Sequence, residues 1–447
     1  MSLRRKRIKS LAEYFCVSKH DSRTEACPLG FLEPLPAIIV SFCLLGALLY
    51  KRVNLGITLN ATALLLALLA LNWQEIPMII FGTTDYQTVD GRLAISVVLA
   101  TFGIMLLSQL YKETGFISRL SESLSRIIRN PKVVLCVLPA VIGFLPVAGG
   151  ALMSAPLVDS EAEKLKLKPE KKAYVNLWFR HTIFPVYPVS QVLIIAAALT
   201  GITIPAIIAR QIPVVLVMII VGYIIGFWKV SNPKSKEDSK TKENTNSSVK
   251  TFLIAFSPIL ATIIVAVGVE LVGFDLSQQG FDVLIATIAG IIVLTAISKL
   301  NLQVFVKPFK SWTIYGITLA AYGAFLLRNV MKAAGISAIF KTFVANGSLD
   351  IILLLTVIPA VLGFLTGSPT GGISISVPIL SEILIFSPRT AALLYMSVYI
   401  GYVIAPTHLC FTFTADYFKC PLGKVYKYVI PSFLLTFAAA LLVYFLI

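Results

Sequence analysis

Carboxylates are scarce in this chain: 22 Asp and Glu stand against 38 Lys and Arg in 447 residues. Histidine is rarer still, with three, and all charged residues together make up only 13%. So few charges cannot cover the surface of a soluble domain this long, which excludes a soluble globular fold. The six cysteines (Cys16, Cys27, Cys43, Cys136, Cys410, Cys420) show no CxxC and no paired Cys/His spacing. No disulfide framework or metal motif is therefore readable. Cys43, Cys136 and Cys410 fall in apolar segments and read as small hydrophobes. HExxH and GxSxG are missing, which leaves an intramembrane enzyme without a recognisable motif. GxxxxGK[ST] is missing too, so ATP-driven pumping has no motor here.

What the chain has instead is apolar residues, 57% of the total, and a mean hydropathy of +0.86. These values point to an all-α polytopic membrane protein, multi-pass in the cell membrane. The net charge of +16 then belongs to cytoplasmic loops facing anionic lipid rather than to nucleic-acid binding.

Two stretches interrupt the apolar pattern. Leu138 to Val158 reads LPAVIGFLPVAGGALMSAPLV, and Ile358 to Leu380 reads IPAVLGFLTGSPTGGISISVPIL. Prolines and a glycine pair in each forbid a straight helix. Val133 to Val147 would make about 22 Å of helix, short of a bilayer core of about 30 Å. Basic residues flank the first stretch on both sides (Arg126 and Lys132 before, Lys164 and Lys166 after). Each stretch is therefore expected to be a re-entrant hairpin with its tip at the glycine pair, Gly149-Gly150 or Gly371-Gly372. The two are copies. Pro139, Gly143 and Phe144 match Pro359, Gly363 and Phe364 at an offset of 220, and after two extra residues Gly149-Gly150 and Pro156 match Gly371-Gly372 and Pro378 at 222. Upstream, Gly103, Lys112 and Gly115 match Gly323, Lys332 and Gly335, again at 220. Matched Gly and Pro positions mark an internal duplication.

Spans are expected near 34–50, 55–72, 92–110, 173–200, 204–228, 252–272, 281–298, 313–331, 390–415 and 425–447. The organisation is a tail at 1–29, a first repeat at 30–230, a polar cytoplasmic linker at 231–250 and a second repeat at 251–447. No apolar run follows the basic start closely enough for a cleavable signal peptide. Five spans per half, an odd number, make the two repeats inverted. The loops bearing Lys51, Lys166, Lys299 and Lys419 then all fall inside; only the basic N-terminus conflicts. Each half carries a second break after its hairpin. These are Phe184-Pro185-Val186-Tyr187-Pro188 and Ala405-Pro406-Thr407-His408, with Pro185 and Pro406 equivalent. Hairpin tips and broken helices should meet at the centre, where freed backbone groups can hold a substrate.

This pattern resembles the ion transporter superfamily, with its gluconate permeases and citrate and dicarboxylate carriers. More closely, GFLPVAGGALMSAPLV and GFLTGSPTGGISISVPIL look like the membrane proteins of domain-of-unknown-function family 401. The resemblance covers about residues 34 to 447 and implies the fold rather than the substrate. The Ser-Asn-Thr motifs that sodium-coupled dicarboxylate carriers place at the hairpin tips are absent.

Ionisable residues within spans are mostly cationic: Arg180, His181, Arg210, Arg328 and His408. That sign favours an anionic substrate. Arg210 and Arg328 near span ends read as snorkelling, and Arg180 either snorkels or faces the cavity. His181 and His408 either hydrogen-bond within the bundle or handle substrate and protons. The substrate-binding set expected is Gly149, Gly150, Arg180, His181, Pro185, Tyr187, Ser190, Thr366, Ser368, Thr370, Gly371, Gly372, Thr407 and His408, with no catalytic residue and no metal ligand. The function expected is a secondary active transporter for a small, carboxylate-like organic anion, working by alternating access. No cofactor is expected beyond a coupling ion, Na+ or H+. A passive channel or a cation/proton antiporter is the alternative. The expected partners are the substrate and the bilayer, with a homodimer left open.

Overall fold

The computed structural model describes residues 31–128, 130–145, 150–231, 242–272, 281–336 and 350–446. The tail at 1–29, the hairpin residues 146–149 and linker residues 232–241 lie outside the described residues. Among those described, the regular structure is all helical. In the first half come α1 (Pro34–Tyr50), α2 (Leu55–Ala70), α3 (Ile76–Gly82), α4 (Val89–Glu113), α5 (Phe116–Ile127), α6 (Pro131–Gly143), α7 (Ala151–Lys164), α8 (Pro169–Arg180), α9 (Gln191–Thr200) and α10 (Ile204–Phe227). In the second come α11 (Lys242–Leu271), α12 (Phe281–Ser298), α13 (Leu302–Val306), α14 (Trp312–Ala333), α15 (Ile351–Thr366), α16 (Pro369–Ser381), α17 (Pro388–Ile404), α18 (Leu409–Tyr417) and α19 (Leu422–Leu446).

Among the described residues, eight stretches are long and apolar enough to cross a bilayer: 89–113, 169–200, 204–227, 246–269, 281–298, 312–333, 388–417 and 422–446. The chain is a multi-pass membrane protein. Expected spans α1 and α2 are shorter, at 17 and 16 residues, or about 24–26 Å of helix. Two features were not expected. Phe116, Ile117, Leu120 and Leu124 form the buried face of an amphipathic helix, α5, in what read as loop. Helix α11 starts at Lys242, inside the stretch read as linker.

The halves interlock reciprocally. Helix α2 packs on α14, and α4 packs on α12. Within each half the first hairpin arm packs on the second (α6 on α7, α15 on α16) and on the helix that follows (α6 on α8, α15 on α17). Across the halves, α9 packs on α16 and α18 on α7. The broken spans are well enclosed, 67% buried for 169–200 and 72% for 388–417, as is 89–113 at 72%, whereas 422–446 is 22% buried and presents Leu434, Leu435 and Leu442 outward. The interruptions thus sit inside protein, which is where freed backbone groups can be satisfied.

Five non-glycine residues among those described have left-handed backbone: Arg52, Lys166, Lys229, Lys299 and Lys419. That conformation usually favours glycine. All five are cationic and each follows a helix C-terminus, whose partial negative charge a cation offsets.

Candidate functional site

The site grows from the two interruptions. Helix α8 stops at Arg180, a short 3-10 turn covers Phe184–Val186, and α9 starts at Gln191. Pro185 and Pro188 have no N–H to continue the ladder. In the second half α17 stops at Ile404, before Pro406, and α18 starts at Leu409. Side chains take up the freed carbonyls. Tyr399 donates to His181 O, Tyr395 to Phe184 O at 3.3 Å and Tyr426 to Ile404 O at 2.8 Å. Tyr395, Tyr399 and Tyr402 recur at helical spacing, so α17 turns one tyrosine face toward the first break.

Between the breaks lies a cavity of about 220 Å3. Its lining includes the first residues of three helices: Ser190 and Gln191 of α9, Ser368 to Thr370 of α16, and His408 to Cys410 of α18. Helix N-termini carry partial positive charge and unpaired N–H groups. Arg180 also lines the cavity and is 1% exposed. Its Nη2 donates to Leu145 O at 3.1 Å, while Nε and Nη1 have no partner. No carboxylate is among the lining residues. Phe144, Phe184, Tyr187 and Tyr402 supply aromatic walls.

Beside Arg180, two of the three histidines meet. The rings of His181 and His408 lie 4.7 Å apart between centroids and perpendicular to each other. Both are buried. His181 Nδ1 lies 2.6 Å from Leu177 O and so carries a hydrogen, leaving Nε2 to accept from the Tyr402 hydroxyl at 3.2 Å. The His408 ring lies tilted against Tyr402, 4.0 Å between centroids, and its Nε2 has no partner.

A family model described as "Protein of unknown function (DUF401)" matches residues 35–447. The chain belongs to the DUF401 family. Curated protein sequences give no match. Among solved structures, the chain is similar to the YdaH transporter of Alcanivorax borkumensis, with a TM-score of 0.60, 15% identity, and coverage of 93% of this chain and 98% of that one. It is also similar to Neisseria gonorrhoeae MtrF, described within a class of antimetabolite efflux pumps, at TM-score 0.50, 14% identity, and 93% and 95% coverage. At these identities the likeness concerns the fold.

In the DUF401 chain, Arg180, Tyr187, Ser190, Ser368, Thr370 and His408 come together on the cavity, with His181 directly behind His408. Gly149 lies outside the described residues. Gly150 is buried just before α7. The second hairpin turns at Gly367, whose φ is +58°, and not at Gly371-Gly372. The reason is that the Ser368 side chain accepts from Gly371 N and starts α16 ahead of the glycine pair. Both glycines are then helical and serve close packing. A Cβ on Gly372 would overlap Val398, and one on Gly371 would lie 3.0 Å from Thr366 Cβ. Thr366 bonds back to Leu362 O at 2.7 Å. Pro185 is buried in the turn, and Thr407 is exposed, donating to Phe364 O at 3.3 Å beside Gly367. Neither lines the cavity. The lining residues missed include Tyr402 and Cys410. The 395/399/402 spacing could have exposed Tyr402; Cys410, two residues after His408, carried no signal beyond that nearness.

Proposed function

We propose that this DUF401 chain is a secondary active transporter in the cell membrane that carries a small organic anion by alternating access. It is not an enzyme on this reading. The observation that carries it is the gathering of three helix N-termini and of Arg180, whose buried Nε and Nη1 have no partner, around a cavity with no lining carboxylate. Such a site attracts a carboxylate-like group, and the free guanidinium N–H groups suit charge-assisted hydrogen bonds to it. The aromatic walls take the apolar remainder. The site joins segments from both halves, so a movement of one half against the other would open it to either side. The inverted repeats, re-entrant hairpins and ion transporter superfamily resemblance read from the sequence belong to the same proposal. So do the full set of expected binding residues, the cytoplasmic linker and the homodimer. Sodium or protons supply the coupling, and the His181–His408 pair suits the latter.

The test is uptake of labelled mono- and dicarboxylates into vesicles, with imposed pH or sodium gradients. Arg180→Lys and Arg180→Ala should both lower uptake about tenfold or more, the loss of a charge-assisted contact worth roughly 1.5–3 kcal/mol. Their size-exclusion profiles should stay normal. Near-normal uptake by Arg180→Ala would sink the anion reading.

A further inference from the structure

The chain has few of the residues that bind transition metals, and three of them converge. His181, His408 and Cys410 are all buried, and their ligand atoms lie within 4.8 Å of one another. They come from the two broken spans, so the grouping is a product of the fold. Each imidazole is placed as a ligand would be. His181 directs Nδ1 at Leu177 O, and His408 holds Nδ1 3.5 Å from Val403 O. A backbone carbonyl at one ring nitrogen orients the other toward a metal. His408 Nε2 is free, and His181 Nε2 has only the Tyr402 hydroxyl to leave.

We propose that His181, His408 and Cys410 form a binding site for a divalent transition ion of the zinc class. Two imidazoles and a thiolate are a borderline-to-soft donor set, which selects such ions over Mg2+ or Ca2+, whose ligands are oxygens. Tetrahedral zinc, with bonds of about 2.0–2.3 Å, sets ligand atoms about 3.3–3.8 Å apart. Rotation of the side chains by about an ångström closes the trio to that spacing. Binding displaces the Cys410 thiol proton, and the thiolate and two neutral rings leave the ion with one net positive charge.

That charge faces Arg180 and the helix N-termini, so the metal alone is repelled. An anion in the fourth coordination position removes the conflict. His408 and Cys410 line the cavity, so that position opens into the cavity that Arg180 also lines. Metal and anion therefore occupy the site together, each raising affinity for the other. The metal ligation stands without the transport reading; the anion as fourth ligand rests on it.

The test uses the full chain in detergent, with Cys16, Cys27, Cys43, Cys136 and Cys420 replaced by alanine, so that Cys410 is the one thiol left. Co2+ should bind at one equivalent and give thiolate-to-cobalt charge-transfer absorption. Zn2+ should abolish that band and raise the melting temperature. Cys410→Ser or His408→Gln on the same background should remove the band. No band with Co2+ and no melting shift with Zn2+ overturns the site, even if those two variants fail to fold. A band that persists in a folded Cys410→Ser chain overturns it as well. Adding malonate should alter the visible cobalt spectrum and tighten binding. An unchanged spectrum and affinity would remove the anion from the fourth position and leave the three-residue site standing, independently of the Arg180 uptake result.

Discussion

The two broken spans share a scaffold and differ in what they bring to it. Aligned on Pro185 and Pro406, Arg180 corresponds to Gly401, His181 to Tyr402, Tyr187 to His408 and Val189 to Cys410. The first half places a guanidinium where the second has a glycine pressed against the Ala360 backbone. The second half instead supplies the polar hairpin turn, Gly367 to Thr370, while Phe144 of the first hairpin contributes an aromatic wall. A cavity shared by two halves needs each chemical group once, so equivalent positions are free to diverge. The packing positions have no such freedom. Gly143 and Gly363 are equivalent, and at both an added Cβ would meet a backbone carbonyl of the adjacent broken helix: Arg180 O at 2.5 Å in one case, Val398 O in the other.

The most drastic way to break the comparison is to ask whether the halves are inverted. On a cysteine-free background, Lys166→Cys should label only from the cytoplasmic side and Ile385→Cys only from outside. Both positions are exposed. Labelling of both from one side would end the inverted arrangement while leaving the cavity in place. Next in size is the shared packing. Gly143→Val and Gly363→Val should each destabilise the fold by about 3 kcal/mol or more, because backbone cannot yield as a side chain can. The readout is the loss of a monodisperse size-exclusion peak and a lower melting temperature. Tolerance at one site alone would show that the crossings are not equivalent. The smallest effect sharpens the hairpin difference. Ser368→Ala should cost about 1 kcal/mol through loss of the α16 cap, a melting shift of a few degrees. Gly150, the N-cap residue of α7, has no side chain to cap with. No melting change in Ser368→Ala would mean that the turn is held by its packing instead.

The composition and the proline and glycine positions of the sequence determined the all-helical membrane fold, its duplication and its two kinds of interruption. These are local effects: hydropathy sums along a segment, and a missing N–H breaks a helix wherever it falls. Arg180, His181 and His408 were legible as site candidates because they are ionisable groups within spans, and Ser190 because it is a polar group beside a break. The tertiary structure alone decided that Gly371-Gly372 would pack rather than turn, that Arg180 would point inward, and that His181, His408 and Cys410 would meet. Each of those outcomes depends on how one helix is rotated against partners that lie far away in the chain. Side-chain direction follows from such packing, and nothing in a run of neighbouring residues encodes it.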